Sequence, residues 1–383
     1  MTGTQGVTTI RIRANLGGTM DRNRGHARAG AYVLLASLLA LGAASLPASA
    51  ATVGIVPGPV KALPVHVDPT TLACPSGKPV VSATCLLMGS TSTSTLLLPV
   101  AAGTPKAPTA TLTGGVDVAC MSTTTCVVAG VSGSHGILQW IVNGHVAKTV
   151  TLKNSSYLNG VACGATTCFV VGEVAGTGST TYGVLADVTE AQSAPQATKV
   201  AGVATLNAVA CASATSCYAV GQTKSGVSGV AAVVPLTRGK AGARALSAGS
   251  DSLNRISCGS ATTCWATGTS YSAKTGVTTS IVPIVNGKPG GRRTGPSNGG
   301  TIGCISATTC FFGSATSQYG KGVVDELVNG KVAKSLELPK FAYGTLTSIV
   351  CPTATACLAT GATGFHNPGS SYFYTGAVVI LHV

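Results

Sequence analysis

The chain has 383 residues, 45% of them hydrophobic and only 9% charged, with 24 Lys/Arg against 10 Asp/Glu for a formal net charge of +14. So few charges, far below the roughly 25% of ordinary soluble domains, exclude a disordered chain and require an architecture whose apolar surfaces are covered on both sides. The basic excess has no aromatic residues interleaved among its lysines, which argues against a nucleic-acid-binding surface.

In chain order the first feature is a leader. Arg22, Arg24 and Arg28 form a basic segment, Ala29 to Leu46 is an apolar run, and Pro47-Ala48-Ser49-Ala50 has the small-x-small pattern of a signal-peptidase site. Residues 1–50 read as a signal peptide region cleaved after Ala50, with Met20 as an alternative start, and residues 51–383 read as a single domain. An uncleaved anchor is the competing reading, because the 18 apolar residues could just span a bilayer. After cleavage no transmembrane segment remains, and no cysteine follows the cut to carry a lipid.

The mature chain then repeats a cysteine doublet seven times: Cys74/Cys85, Cys120/Cys126, Cys163/Cys168, Cys211/Cys217, Cys258/Cys264, Cys304/Cys310 and Cys351/Cys357, which uses all 14 cysteines. Successive first members lie 46, 43, 48, 47, 46 and 47 residues apart, the mark of a tandem array of one supersecondary unit. Paired cysteines in an exported chain predict seven local disulfides. No doublet has the spacing of a zinc knuckle, and no metal site is expected.

Five units align from Leu158, Leu206, Leu253, Thr301 and Leu346, as in LNAVACASATSCYAVG and LNRISCGSATTCWATG. Each reads as strand, tight polar turn, strand, with the cysteines at the mouth of a hairpin. In the chain-entropy model a bridged loop of this size contributes about 2.4 kcal/mol. A third apolar run follows, as in Val230 to Val234 and Ile281 to Val285. The turn dipeptides Asn143-Gly144, Asn286-Gly287 and Asn329-Gly330, with Arg238-Gly239 in the same place in another unit, then lead to a fourth strand such as Val146 to Leu152 or Val332 to Leu338.

Four antiparallel strands in about 47 residues is the size of a propeller blade. Both alternating faces of runs such as Cys168-Phe169-Val170-Val171 are apolar, as expected of a sheet packed between two others. The bulky residue after the second cysteine (Val127, Phe169, Tyr218, Trp265, Phe311, Leu358) is expected between blades. The last unit stops one strand short, and Ile55 to Val65 resembles Leu327 to Glu337, so the mature N-terminus should supply the missing strand. The predicted fold is all-β: a seven-bladed β-propeller of four-stranded antiparallel blades, closed by the N-terminal strand on the C-terminal blade.

From about Asp117 to Val383 the chain resembles the secreted β-propeller repeats of high-GC Gram-positive bacteria, with the pattern V-x-C-x-S-A-T-x-C-x-A-V-G. It resembles more distantly the Asp-box hairpin of sialidase-like propellers, although Ser260-Ala261-Thr262-Thr263-Cys264-Trp265 lacks the Asp and the Gly of that motif. The resemblance implies a fold and an extracellular or cell-wall address, and transfers no catalytic residue.

Candidate chemistry is sparse. The mature carboxylates are Asp68, Asp117, Glu173, Asp187, Glu190, Asp251, Asp325, Glu326 and Glu337, at unlike positions of different repeats, and the arginines fall in two neighbouring units. Neither pattern predicts the paired carboxyls of a glycosidase or an arginine cluster for an acidic sugar. Without residues 1–50 the count is 19 Lys/Arg against nine Asp/Glu, a net of +10. Lys148, Lys240, Lys288, Arg292, Arg293, Lys331 and Lys334 follow the third strand's turn and would form a positive collar if those turns share one rim. The opposite rim would carry Tyr157, Tyr182, Tyr271, Tyr319, Tyr343, His366 and Tyr372 on short polar loops, a composition suited to sugar or peptide binding.

These features predict an exported, monomeric, non-catalytic binding or scaffold module at the cell exterior. Its expected ligand is a glycan, an anionic wall polymer or a protein, with no cofactor and no nucleic acid. A glycan-acting propeller hydrolase or lyase of sialidase-like kind is the alternative.

Overall fold

The computed structural model describes residues 54–164, 166–223, 229–237, 240–247, 249–296, 300–317, 320–341, 346–366 and 373–383. The expected leader, Arg238-Gly239, Tyr319, Tyr343 and Tyr372 lie outside the described residues.

Among those residues all regular elements are β-strands, arranged in seven antiparallel sheets. Each sheet is one blade whose strands run outward in chain order, except that the outer strands of the seventh come from the N-terminal end of the described chain. The innermost strands of blades one to seven are Asp68–Ala73, Gly115–Cys120, Tyr157–Cys163, Thr205–Cys211, Ser252–Cys258, Thr301–Cys304 and Leu346–Thr353. Each contacts its two counterparts in the adjacent blades, and the seventh contacts the first, so the ring is closed. The latch is the expected one: Val56 and Pro57 pair with His382 and Leu381, and Lys61 and Ala62 pair with Val378 and Ala377.

The repeated serine of the motif has a local task. Ser122, Ser213, Ser260 and Ser306, each two residues after the first cysteine, accept the backbone N–H three residues on at 3.0–3.1 Å. That bond closes the polar turn on itself.

All seven doublets are disulfides: Cys74–Cys85, Cys120–Cys126, Cys163–Cys168, Cys211–Cys217, Cys258–Cys264, Cys304–Cys310 and Cys351–Cys357, with Cα atoms 3.8–4.2 Å apart. In blades two to six the two cysteines stand directly opposite one another in the ladder. The ladders of blades one and seven do not include the pair, because the strand stops at Ala73 in the first and shifts register between Val350 and Thr353 in the second. The two members of a doublet are not equivalent, as an equal placement at a hairpin mouth would make them. Cys85, Cys126, Cys168, Cys217, Cys264, Cys310 and Cys357 are buried, whereas among the first members only Cys304 is, and Cys74, Cys120, Cys163, Cys211, Cys258 and Cys351 are half-buried. The reason is the strand each belongs to: the second cysteine opens the second strand, which has another blade on both faces. Each of the seven falls in a different apolar cluster, packed against the preceding blade. These residues are structural, and none of the seven offers its sulfur to a ligand.

The turns between third and fourth strands are left-handed at both central residues, with φ of 51° and 82° at Asn143-Gly144, 50° and 76° at Asn286-Gly287, and 52° and 69° at Asn329-Gly330. This is the geometry asparagine and glycine tolerate. The N–H groups of Asn143, Asn286 and Asn329 donate to the carbonyls of Thr124, Thr262 and Thr308 in the cysteine hairpins. Both sets of turns therefore share one rim, here the disulfide rim.

Blade edges are irregular for an identifiable reason. Pro99, Pro235 and Pro283 occupy one equivalent place in the third strands of blades one, four and five, each opposite the residue after the second cysteine. Their carbonyls accept from Lys106, Gly242 and Gly290, but they have no N–H to return. The outer strand accordingly breaks into two pieces in all three blades. Blades two and six, with Trp140 and Glu326 at that place, keep continuous outer strands, His145–Thr151 and Lys331–Leu338, and carry a bulge instead.

The core lies between blades. Seven apolar clusters are formed, and each joins residues of two neighbouring blades. In blade three, Cys168 and Val170 pack with blade two, whereas Phe169 and Val171 pack with blade four. The residue after the second cysteine is buried in every blade. Trp265 also donates its Nε1–H to the Ala307 carbonyl of blade six at 2.9 Å.

Two outcomes are expected. Trp265→Ala should cost about 3–5 kcal/mol in denaturant unfolding. Trp265→Phe, which forfeits the hydrogen bond and part of the ring, should cost markedly less. Intact mass after alkylation should show no label on the native chain and 14 labels once it is reduced, because every cysteine is paired.

Candidate functional site: the central channel and its mouth

Seven inner strands converge on the axis, and the residue three places before the first cysteine gives one member per blade. These are Thr71, Asp117, Gly160, Ala208, Arg255, Thr301 and Ser348. All but Gly160 line an axial cavity of about 210 Å³. In six blades a bulge just ahead of this position turns Thr70, Val116, Asn159, Asn207, Asn254 or Thr347 out of register. Such bulges re-aim side chains, and here they free Asn159 and Asn207 to bond the next blade. Asn159 Nδ2 donates to the Leu206 carbonyl at 3.0 Å, and Asn207 Nδ2 donates to the Leu253 carbonyl at 2.9 Å.

Asp117 joins three blades. Its Oδ1 accepts from Thr71 Oγ1 of blade one at 3.0 Å and from its own neighbour Val118 N–H at 2.9 Å, and its Oδ2 accepts from Val161 N–H of blade three at 2.9 Å. Burial raises its pKa above the ordinary 3.8, while the Val161 bond, the charge of Arg255 and the other two bonds pull the opposite way.

Arg255 lines both this cavity and a wider funnel of about 880 Å³ at the channel mouth. Blades one, five, six and seven build the funnel. Asp68, Asn254, Arg255 and the hydroxyls of Thr269, Thr279 and Thr294 provide polar groups, and Pro69, Val277 and Leu346 provide apolar wall. Asn254 Oδ1 is taken up by Asn207 Nδ2 and Ser252 Oγ, so its remaining offer to a ligand is the amide donor. Arg255 spends Nη1 on the Asn254 carbonyl at 3.0 Å and retains its other donors. Burial also raises the pKa of Asp68.

The aromatic residues expected on the rim opposite the cysteine turns are placed as follows. Tyr157 opens the inner strand of blade three, and Tyr182 lies in the hairpin of the same blade, one register step away. Lys199 Nζ stands 4.2 Å from the centroid of the Tyr182 ring. Tyr271 is on the long hairpin of blade five, paired with Val277, which does line the funnel. His366 ends the second strand of blade seven. Tyr157, Tyr182 and Tyr271 are all exposed, and none is among the residues lining the channel or the funnel.

The carboxylates are less scattered in space than along the chain. Asp117 lines the axial cavity and Asp68 the funnel at its mouth, because the inner strands that carry them are adjacent. Others act as ties: Glu173 accepts from Thr205 Oγ1, Asp251 from Tyr271 N–H, Asp325 from Ser314 and Ser335, and Glu337 pairs with Lys321. The collar cations are similarly divided. Lys148 donates to the carbonyls of Glu190 and Gln192, Arg292 to Ser280 and Thr278, and Arg293 packs over Trp265, while Lys288 and Lys331 remain exposed. Sequence reasoning passed over Asn254 and Arg255 as site residues. The signal was the alignment on the first cysteine, which puts Asp117 and Arg255 in one layer. Among the described residues no group of three or more His, Cys, Asp or Glu side chains could hold a metal, and no helix is long and apolar enough to cross a membrane.

A carboxyl whose folded pKa exceeds its unfolded value makes the folded state the tighter proton binder, so stability rises as pH falls from above the folded value toward 3.8. The thermal midpoint should therefore climb on mild acidification, and Asp68→Asn should reduce that climb. Asp117→Asn should cost about 1–3 kcal/mol in denaturant unfolding, because an amide cannot accept from Thr71, Val118 and Val161 as the two carboxylate oxygens do.

No family model matches the chain, and no curated protein matches it in sequence. In three dimensions it is similar to the structure of U3-55K (TM-score 0.58, 12% identity, 85% of this chain and 98% of that one). It is also similar to the WD40 β-propeller domain of Doa1 (TM-score 0.52, 10% identity, 85% and 96%). A looser superposition is found with the PQQ-bound aldose sugar dehydrogenase of Streptomyces coelicolor (TM-score 0.44, 11% identity, 70% and 95%). At these identities the likeness establishes the β-propeller fold alone.

Proposed function

We propose that this chain is an exported, non-catalytic binding or scaffold module that works outside the cell and holds a glycan at the mouth of its channel. The observation that carries the reading is the funnel itself, a concave site whose polar lining is hydroxyl and amide groups, the Asp68 carboxyl and the Arg255 guanidinium at its floor. Hydroxyls and amides exchange hydrogen bonds with sugar hydroxyls, Arg255 suits an acidic substituent, and the Pro69, Val277 and Leu346 wall suits the apolar face of a sugar ring. Tyr157, Tyr182 and Tyr271 extend the same rim as exposed contact surface. Export is supported by seven disulfides, which persist in oxidising compartments, and by the leader read from residues 1–50. Processing after Ala50 would leave residues 51–383 as the working domain.

A glycan hydrolase is the second reading, kept by one observation: Asp68 faces the funnel with a raised pKa, as a proton donor would. The disulfide-intact protein should retain glycans on an array without releasing product, and Arg255→Ala should weaken retention about tenfold. Product release that Asp68→Asn abolishes would favour the hydrolase, and glycan retention unaffected by Arg255→Ala would remove the funnel as the site.

A further inference from the structure

Blades three and four part at their outer edges. Blade three ends in a two-residue strand, Thr198–Lys199, and Pro235 splits the edge of blade four into Lys240–Ala241 and Ala245–Ser247. Between them lies a crevice of about 720 Å³. Its charged lining is Lys199, Lys240, Arg244 and Asp187, three cations against one carboxylate, all exposed. The segment from Lys240 to Leu246 runs along it, paired at its ends with Thr237 and Ala232 of the third strand, five residue steps that at about 3.3 Å each make this edge roughly 17 Å long.

Two of the three cations are held in place. Arg244 Nη1 donates across the gap to the Ala201 carbonyl at 3.2 Å, and the guanidinium lies over Gly202. There φ is +66°, a conformation that favours glycine, and the absence of a side chain at Gly202 leaves the room in which the Arg244 guanidinium lies. Lys199 is braced by the Tyr182 ring, which orients its ammonium without neutralising it. The Lys240 ammonium forms no hydrogen bond or ion pair among the described residues. Leu185, Val200 and the half-exposed Leu246 supply apolar lining.

We propose that this crevice is a second site, separate from the channel mouth, that binds a phosphate-bearing linear polymer. A braced planar guanidinium presents its free donors to phosphate oxygens, and two lysines add point charges for further phosphates along the chain. Length favours a polymer over a single ion, since Lys240 and Arg244 are spread along the edge of blade four and Lys199 stands on blade three at the same crevice. With a glycan at the mouth and a polyanion on the flank, one molecule would bridge two polymers.

The test is titration of the disulfide-intact protein with linear inorganic polyphosphate at several salt concentrations. Lys199→Ser with Lys240→Ser should weaken binding at least about tenfold and flatten the dependence of log affinity on log salt by about two, as loss of two ionic contacts requires. Lys288→Ser with Lys331→Ser removes the same charge from exposed positions of blades five and six and should weaken binding less than about threefold. Arg255→Ala should leave it unchanged, which separates this site from the funnel. Equal weakening by both lysine pairs would overturn the proposal, as would displacement by inorganic phosphate at equal phosphate concentration. Equally tight binding of poly-L-glutamate of matched charge would also overturn it.

Discussion

Each blade of this ring is a sheet with two apolar faces, and neither can be left in water. The only surface that covers one blade is the next, so burial is satisfied completely only when the seventh meets the first. That closure explains why the N-terminal strand is spent on the last blade: Val56, Pro57, Lys61 and Ala62 pair with the last strand, where an open edge would otherwise remain. It also explains the low charge content, because most strand positions have no wet face on which to put a charge.

Two kinds of bonding sit on this apolar frame and act at different ranges. Disulfides and serine turns bond only within one hairpin, so although the buried sulfurs help fill the space between blades, these bonds do not order the blades. Side chains at the inner strands do the longer work. Thr71 with Asp117, Asp117 with Val161, Asn159 with Leu206, Asn207 with Leu253, Ser257 with Cys304 and Thr301 with Ile349 tie successive blades. The seventh junction is made by Gly77 N–H to the Pro352 carbonyl. A chain with few polar side chains spends many of them on such ties, and those left with uncommitted donors stand out.

The residues that remain are unevenly distributed. Funnel and cationic crevice lie on different arcs of the ring, the first on blades five, six, seven and one, the second between blades three and four. The funnel depends on a departure from the repeat, and the crevice on an edge interruption that blades one, four and five share. Arg255 replaces the small or hydroxyl residue that most blades place on the axis, and Pro235 interrupts an edge strand that blades two and six complete.

Cysteine spacing, turn dipeptides and two-faced apolar runs are local signals, and they sufficed for the blade count, the strand order, the disulfide pairs and the latch, because each depends on residues close in sequence or on the demand to cover apolar faces. The unequal burial within each doublet was not legible, since Cys217 and Cys211 differ only in which strand the neighbouring blade covers. Asp117 and Arg255 looked unrelated along the chain, 138 positions apart. Only the tertiary structure put them on one axis, since a channel is made by seven strands meeting and no single repeat contains it. The tyrosines were expected on loops, whereas Tyr157, Tyr182 and Tyr271 stand in strands; nor was their separation from the funnel legible, because it depends on how the blades are placed around the axis. Sequence by itself determined what each unit is and that the units must close on one another. Convergence in space decided which side chains share solvent, charge and cavity.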